Sequence, residues 1–448
     1  MKGNRRHYSD YMPSERLEDK PTNQLKTELE KEQVRTETIV KTTTSTAMQL
    51  GPTSLDPQHD EEIKRNLAGT TKTYFQGKNF QDLSQMERVN VVLRAMLDKE
   101  FFGFNYEKQD GTQKPKTAEE TYVEKKGNCV GLVADYLSIS ETAGLTNFAQ
   151  VYMIFEDKKT EKAAGHVALF FMDDETKTIA YIDPSLGEFK QLPTTFKRIG
   201  QALRDPEFKR YIENFRGKII AEDASGYVLR ALGSIEKREN FDAAYYFNNG
   251  VYSVEMKDWD GAIENFTKAA DKGIATRFVY SQIAQAYYEN GNYEKAIGFY
   301  KQALGKRKNI EDYQDLARTY FDKADCDGAI ETLQKLLRLN PANTGAKIDL
   351  GGAHIEKGLG ELDTERYLEA KAQFLLSRDS LFSALREIKR TKGSEIPPLL
   401  HDNLEAYFVN QYRTLKSLNE PEEVIQLQKD YEKIKKLGFE SEKVNSLF

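Results

Sequence analysis

The feature of this 448-residue sequence that most constrains its fold is a repeat in its second half. Three alanines, Ala262, Ala296 and Ala329, lie 34 and 33 residues apart, and the residues around each follow one pattern. An aromatic residue or cysteine precedes each alanine by three positions, a large residue follows by four, and a small residue precedes by twelve. These three sets are Trp259, Tyr293 and Cys326, then Phe266, Tyr300 and Leu333, then Gly250, Ala284 and Ala317. A period of this length indicates stacked helical units rather than one globular core.

The pattern resembles the tetratricopeptide repeat, whose units are pairs of helices. Small residues allow the paired helices to approach closely, and large residues fill the space between neighbouring units. Pro341 ends the third unit, and a fourth starts at Gly351, with an insertion that delays its second helix to about Tyr367. The sequence therefore predicts an all-α solenoid over residues 243–365, capped by C-terminal helices over 366–448. The concave surface of such a solenoid is expected to bind a protein or peptide.

Residues 61–235 follow a different pattern, with helices first and strands later. Apolar residues at helical spacing predict a helix over Ser84–Lys99, and a second helix begins after Cys129 and ends near Gly144. Three strands follow, separated by charged loops: Ala149–Phe155, His166–Met172 and Thr178–Asp183. Helices followed by antiparallel strands are typical of an α+β domain rather than of alternating βαβ units.

Cys129 is the residue of this region that most suggests chemistry. It follows a turn that contains Gly127 and starts an apolar helix. The helix dipole and the unpaired N–H groups at such a position stabilise a thiolate, and they can receive an oxyanion during acyl transfer. A cysteine nucleophile also needs a base and a group that orients the base. His166 begins one strand and Asp183 ends the next, so adjacent antiparallel strands can place both beside the Cys129 helix.

The segments GNCVGLVADYLSISETAGL, GHVALFF and AYIDPS together resemble the transglutaminase-like superfamily of papain-related cysteine enzymes. The resemblance covers about residues 85–190 and implies a helix bearing the cysteine packed on an antiparallel sheet. It also implies that Cys129 is the nucleophile, that His166 is the general base and acid, and that Asp183 orients His166. One departure is Val167, where many members of the superfamily have an aromatic residue after the histidine.

Two more residues are candidates for an additional oxyanion donor. Tyr122 lies seven positions before Cys129, and Gln150 starts the strand after the Cys129 helix. Both have core or surface packing as their alternative role, and a lone cysteine at a helix start is usually a small buried apolar residue. Cys326 and His354 occupy repeat positions that take large residues in neighbouring units, so we expect Cys326 to serve packing and His354 either to serve packing or to line the concave groove.

The composition argues against several other classes of protein. The net charge of −6 gives no basic excess for nucleic acid, and the longest apolar run, residues 167–172, is far shorter than a membrane span needs. Two cysteines and five histidines are too few for a disulfide scaffold or a Cys/His metal cluster. The sequence contains neither of the glycine-rich phosphate-binding motifs GxxxxGK[ST] and GxGxxG. The glycines of LGGAHIEKGLG fall at a repeat crossing, where helix packing explains them. We therefore expect no metal and no cofactor.

The first 60 residues are unlike the rest. They contain two aromatic residues, Tyr8 and Tyr11, among mixed charges and a Thr/Ser cluster. So little apolar surface cannot offset the entropy of ordering, so we predict a disordered N-terminal arm, in which a short helix over Gln24–Val34 is compatible with the ELEKE run. No apolar signal segment follows the basic start, and the chain as written is expected to be cytoplasmic, or exported only if an upstream leader is missing.

Two functions from different classes follow from these features. The first is a transglutaminase-like cysteine acyl transferase, or an amide or peptide hydrolase, that acts through a thioester on Cys129 and binds a protein through its repeats. The second is a catalytically inactive scaffold or adaptor protein that works through its repeats alone. The two differ in whether Cys129 is a reactive thiol beside His166 or a buried and inert one.

Overall fold

The computed structural model describes residues 52–107, 114–157, 163–196, 198–214, 227–391 and 395–448. The predicted arm, up to residue 51, and its short helix lie outside the described residues. Residues on both sides of the expected boundary at residue 60 belong to one compact unit, Pro52–Phe448. Thr53 is buried, and its carbonyl oxygen accepts a hydrogen bond from the Arg238 guanidinium. A short 3₁₀ turn over Pro57–His59 then leads into the first helix.

Helices form the first part of this unit. In chain order they are α1 (Asp60–Tyr74), α2 (Gln85–Leu97), α3 (Ala118–Glu124) and α4 (Cys129–Thr142). The predicted helix over Ser84–Lys99 is α2, and Ser84 and Glu87 form a capping box at its start. Its apolar residues fall on one face, so that Val89, Val92 and Met96 are fully buried.

An antiparallel sheet of five strands follows, in the spatial order β6-β5-β4-β3-β7. Its strands are β3 (Phe148–Asp157), β4 (Ala163–Met172), β5 (Ile179–Asp183), β6 (Glu188–Gln191) and β7 (Tyr227–Ile235). The predicted meander of three strands is β3, β4 and β5, whereas β6 and β7 were not predicted. The two-residue strands β1 (Asn105–Tyr106) and β2 (Lys126–Gly127) form a separate parallel pair.

Different helices cover the two faces of the sheet. Successive side chains of a strand point to opposite faces. Leu169 of β4 belongs to the same core as Val133 of α4, whereas Phe170 contacts Phe208 of α6 (Pro206–Asn214). A single turn, α5 (Ile199–Ala202), precedes α6. Because both faces are covered, every residue of β5 is buried, and this strand lacks the alternation of a half-exposed one.

The second half is an all-α solenoid. Its helices are α7 (Ala243–Glu255), α8 (Trp259–Asp271), α9 (Arg277–Glu289), α10 (Tyr293–Lys306), α11 (Ile310–Asp322), α12 (Cys326–Leu339), α13 (Thr344–Asp363) and α14 (Tyr367–Thr391). They pack as successive pairs, from α7 with α8 to α13 with α14. The alanines of the repeat, Ala262, Ala296 and Ala329, are fully buried at the helix crossings.

The helix starts of the repeat also match. Asp258, Asn292 and Asp325 each accept a hydrogen bond from the backbone N–H three residues later. These side chains cap the second helix of the first three pairs. One sequence pattern therefore gives one local structure three times.

The fourth pair is longer than the others, and its glycines serve packing. A Cβ atom at Gly351 would lie 2.4 Å from the Leu381 side chain, and one at Gly358 would lie 2.8 Å from that of Phe374. Both neighbours belong to α14, so the glycines of α13 allow the two helices to approach closely. The boundary predicted at residue 365 falls between the two helices of this pair.

The chain ends in further helices, α15 (Pro398–Ser417), α16 (Pro421–Lys435) and α17 (Glu442–Asn445). Leu404, Tyr407 and Phe408 of α15 share an apolar core with Leu381 of α14 and Tyr431 of α16. The C-terminal helices therefore extend the packing of the solenoid. Among the described helices, none combines the length and the apolar character that crossing a membrane requires.

Candidate functional site

The start of α4 positions Cys129. The Asn128 side chain accepts a hydrogen bond of 3.0 Å from the Gly131 backbone N–H and caps the helix, so that Cys129 is its first residue. A Cβ atom at Gly127 or Gly131 would lie within 2.4 Å of the Thr121 side chain, so the turn before the cysteine packs directly on α3. Cys129 as a whole residue is 5% exposed. Cys129 is thus held at a helix N-terminus, as the sequence predicts.

His166 and Asp183 meet in the interior. His166 Nε2 lies 2.7 Å from Asp183 Oδ2, and neither side chain is exposed to solvent. The Tyr181 hydroxyl donates to the same carboxylate oxygen at 3.1 Å. The other oxygen, Oδ1, accepts hydrogen bonds from the Ser185 hydroxyl at 2.6 Å and from the Ser185 backbone N–H at 3.1 Å. The Leu186 backbone N–H also donates to Oδ1 at 3.3 Å, so five donors fix the carboxylate that orients the imidazole.

The sheet explains how these two residues meet. The pairing of β4 with β5 ends at Leu169 and Ile182, and Asp183 is the last residue of β5. His166 lies beyond this end, where it pairs only with Met153 of β3. The end of β5 therefore lets the imidazole reach the carboxylate across the strands.

The imidazole interacts with both the carboxylate and the thiol. Nε2 donates to Asp183, so Nδ1 is the ring nitrogen left to exchange a proton with the thiol. Cys129 interacts with the ring, but this contact is looser than a hydrogen bond, because buried Nδ1 has no hydrogen-bond partner among the described residues. The structure therefore brings together the three residues that the sequence singled out, in the order Cys129, His166, Asp183.

The charges of this group reinforce one another. Burial by itself would lower the pKa of His166, but the negative charges of Asp183 and of a Cys129 thiolate outweigh burial and raise that pKa to about 10. Burial by itself would raise the pKa of Asp183, but the charge of His166 and the hydrogen bonds from His166, Ser185 and Tyr181 lower it. The site therefore favours a protonated imidazole beside an ionised carboxylate at neutral pH.

Tyr106 is a neighbour of the site that the sequence reasoning missed. In β1 it lies opposite Gly127 of β2, two residues before Cys129. Burial raises the pKa of the Tyr106 hydroxyl, and the charges of Cys129 and Asp183 raise it further. The sequence could not predict this position of Tyr106, because a strand of two residues has no periodicity to detect.

The two proposed oxyanion donors are placed elsewhere. The Tyr122 hydroxyl donates to Glu62 at 2.9 Å, and the Lys125 ammonium lies 3.5 Å from the centre of the Tyr122 ring. Gln150 is buried in the middle of the sheet, three residues from Met153, which is about 10 Å along a strand. Tyr122 therefore gives its hydroxyl proton to Glu62, and Gln150 is a buried side chain whose amide oxygen has no hydrogen-bond partner in the described structure. The donors near Cys129 are the backbone N–H groups at the start of α4.

The remaining candidates have structural surroundings. His354 is buried, its Nδ1 lies 2.8 Å from the Gln373 amide oxygen, and burial lowers its pKa. Cys326 begins α12, and burial raises its pKa. Across the described part of the chain, no group of three or more His, Cys, Asp and Glu side chains is arranged to hold a metal ion.

Comparison with protein families identifies the solenoid. Residues 279–312 and 315–376 match two family models, each described as a tetratricopeptide repeat. A curated relative, the TPR repeat-containing protein of Methanocaldococcus jannaschii, is 25% identical over 167 residues. That match covers 35% of this chain and 29% of the relative, so the chain spans less than a third of that relative's length.

Two solved structures match part of this chain in fold. MamA from Desulfovibrio magneticus RS-1 is 15% identical, with 42% of this chain and 96% of that chain covered and a TM-score of 0.29. YrrB, described as a TPR protein with an unusual peptide-binding site, is 18% identical, with coverages of 42% and 95% and a TM-score of 0.26. By its family matches, the C-terminal part of this chain is a solenoid of tetratricopeptide repeats, as its 34-residue period predicts.

Proposed function

We propose that this protein is a cysteine enzyme that acts on an amide or ester through a thioester on Cys129, and that its repeats bind a protein substrate or partner. The observation that carries the proposal is the buried 2.7 Å contact of His166 with Asp183, with Cys129 near enough to interact with the imidazole. Burying a charged pair costs desolvation energy that an apolar pair would avoid. A catalytic role explains why the pair is present despite this cost, because a general base needs a carboxylate to orient it.

The first chemical step follows from this geometry. Nδ1 of His166 accepts the thiol proton, and the Cys129 sulfur attacks the substrate carbonyl carbon. The backbone N–H groups at the start of α4 stabilise the oxyanion. The imidazolium then gives its proton to the leaving amine or alcohol as the bond to the carbonyl breaks, and the thioester remains. Asp183 holds the ring and stabilises its positive charge.

The fold of the first part supports the same proposal. A helix that begins with the cysteine packs on an antiparallel sheet, which fits the transglutaminase-like superfamily that residues 85–190 resemble. We accordingly propose a catalytic domain over residues 61–235, repeats over 243–365 and capping helices over 366–448.

The second candidate is a scaffold or adaptor protein without catalysis. The matches to tetratricopeptide repeats favour it, since such repeats commonly present a binding surface. The burial of Cys129, His166 and Asp183 favours it as well, since a substrate has to reach the thiol. In this case the three residues are part of the core.

The rate of Cys129 alkylation by iodoacetamide distinguishes the two. We would measure it from pH 5 to 10 in Cys326→Ser, where one thiol remains, and compare it with the same chain carrying His166→Gln. The enzyme requires fast labelling at pH 6 to 7 that slows at least about tenfold without His166. A labelling rate that rises only near pH 8.5, the usual pKa of a free thiol being about 8.5, and that is the same in His166→Gln, would establish the scaffold.

A further inference from the structure

Tyr106 belongs to a short segment that lies against the turn before α4. The Asn105 backbone N–H donates to the Lys125 carbonyl oxygen at 2.9 Å. The Glu107 backbone N–H donates to the Gly127 carbonyl oxygen at 2.8 Å. These two hydrogen bonds flank Tyr106 and set it opposite Gly127 in the pairing of β1 with β2. The backbone of Tyr106 is therefore fixed on both sides relative to the turn that leads into α4.

Charged side chains strengthen the same contact. The Glu107 carboxylate lies 2.8 Å from the Lys126 ammonium of β2 and 2.9 Å from the Lys116 ammonium. Lys116 also pairs with Glu124, the last residue of α3, at 2.7 Å. Ion pairs that share partners restrain a segment better than one exposed pair does. β1 is thus tied to α3 as well as to β2, and the Tyr106 side chain starts from a defined position.

The Tyr106 side chain packs against the apolar core that contains Cys129. Paired strands lie about 4.8 Å apart, and the two residues from Gly127 to Cys129 span at most about 7 Å. The Cα atoms of Tyr106 and Cys129 are therefore within about 12 Å, so that side chains directed into one core can meet. Tyr106 is half-buried, whereas Cys129, His166 and Asp183 are buried. Of these four residues, Tyr106 is thus the one most open to the solvent from which a substrate comes.

The hydroxyl of Tyr106 also senses the charges of the site. Burial raises its pKa, and the negative charges of a Cys129 thiolate and of Asp183 raise that pKa further. Such interactions weaken with distance, so both charged groups are neighbours of the hydroxyl. A hydroxyl with a raised pKa keeps its proton at neutral pH and serves as a hydrogen-bond donor to negative charge.

The start of α4 supplies backbone donors to the same place. The N–H groups of a first helical turn have no partner within the helix. The Asn128 cap takes one of them, the Gly131 N–H, at 3.0 Å. Oxyanion holes commonly combine backbone N–H groups with a donor from a side chain. Near Cys129, Tyr106 offers such a donor, whereas the proton on His166 Nε2 is given to Asp183.

We propose that the Tyr106 hydroxyl donates a hydrogen bond to the oxyanion that forms when Cys129 attacks the substrate carbonyl. The inference rests on the proposed function and adds a catalytic residue to it. The sulfur forms a bond to the carbonyl carbon, the π pair moves to the oxygen, and Tyr106 keeps its proton throughout. When the carbonyl re-forms, the bond to the leaving amine or alcohol breaks, and His166 supplies the proton that the leaving group takes.

Two reagents that modify Cys129 in the full chain test this inference. Acetylation by p-nitrophenyl acetate passes through an oxyanion and releases p-nitrophenol in an initial burst. Alkylation by iodoacetamide displaces iodide from a saturated carbon, so no oxyanion forms. Tyr106→Phe keeps the ring and removes the hydroxyl. The burst rate should therefore fall about 10²-fold, while the rate of alkylation near pH 7 stays unchanged.

Tyr152→Phe is the matched control. Tyr152 is also half-buried, but burial alone raises the pKa of its hydroxyl, without a contribution from Cys129 or Asp183. Neither the burst rate nor the alkylation rate should change in this variant.

The outcomes separate this inference from the proposed function. A burst that is absent from wild type, or that survives Cys129→Ser, overturns the cysteine enzyme and this inference with it. A normal wild-type burst whose rate is unchanged in Tyr106→Phe overturns the role of Tyr106 alone. Equal falls of the burst rate and the alkylation rate would show that the hydroxyl acts on the thiolate, which also overturns the contact with the oxyanion.

Discussion

The solenoid and the N-terminal domain both bury apolar surface, but they do so through contacts of different range along the chain. In the solenoid each helix packs mainly on its sequence neighbours, and one cap and one buried alanine recur in each of the first three pairs. In the domain, β7 pairs with β3 across a long separation, from Gln150 with Ile235 to Asp157 with Tyr227. The solenoid can be predicted from its sequence because its contacts are between residues close together in the chain. The candidate site depends on contacts between residues far apart in the chain.

The largest expected effect is on chemistry in the domain. Asp183→Asn keeps the shape of the side chain but removes the charge that orients and stabilises protonated His166. Removing the carboxylate of such a triad lowers catalysis by about 10³ to 10⁴. With p-nitrophenyl acetate as substrate, the rate of the initial burst of p-nitrophenol should fall by about 10³ to 10⁴. Far-UV circular dichroism should stay unchanged. An undiminished burst would show that Asp183 serves the core only.

The next effect concerns stability in the solenoid. Phe266 is fully buried, and a Cβ atom at Gly250 would lie 2.6 Å from its ring. Phe266→Ala should lower the free energy of unfolding by about 3 to 5 kcal/mol, measured by urea titration. The matched change in the last helices, Phe408→Ala, also removes a fully buried ring. If contacts in the solenoid are local, only Phe266→Ala should also increase the labelling of Cys129, because Phe266 contacts Phe247 beside the site.

The pH dependence of unfolding tests whether His166 is charged beside Asp183 in the folded domain. The pKa of His166 is raised to about 10 in the folded chain, above the value of about 6.5 for an unfolded one. A raised pKa gives stability that is complete below about pH 6.5 and is lost as pH rises towards 10. Urea titrations of wild type and His166→Gln should therefore differ most near pH 6 and converge towards pH 10. A constant difference across this range would contradict the charged His166–Asp183 pair.

The smallest expected effect is at the contact between the two regions. Gly165→Ala places a methyl group against Phe247 and Asn248, which costs about 1 to 3 kcal/mol when a packed core has to shift. We expect faster alkylation of Cys129, since α7 has to move away from β4. Gly298→Ala is the control, since a Cβ atom there meets nothing within 4 Å. Equal labelling rates in the two variants would mean that α7 does not cover the thiol.

Much of the fold could be predicted from patterns that are local in the chain. The helix over Ser84–Lys99 and the strands around Gln150, His166 and Asp183 correspond to α2, β3, β4 and β5, because apolar spacing and charged loops report them directly. Strand β7 was missed because its sequence, YVLRALGSI, lacks regular alternation and its partner lies far away in the chain. The hydrogen-bond partner of Tyr122 was missed for a related reason, since its distance from Cys129 along the chain does not reveal that its hydroxyl donates to Glu62.

By itself, the sequence determined the solenoid, the α+β order of the first domain and the three residues whose types suit thiol chemistry. Periodicity and residue type are properties of short segments, and short segments decide which face of a helix or strand is buried. Only the tertiary structure decided that Nε2 of His166 faces Asp183, that Tyr106 lies opposite Gly127, and that Asn248 reaches Gly165. These contacts join segments far apart in the chain, and close packing of the whole unit selects them rather than any local preference.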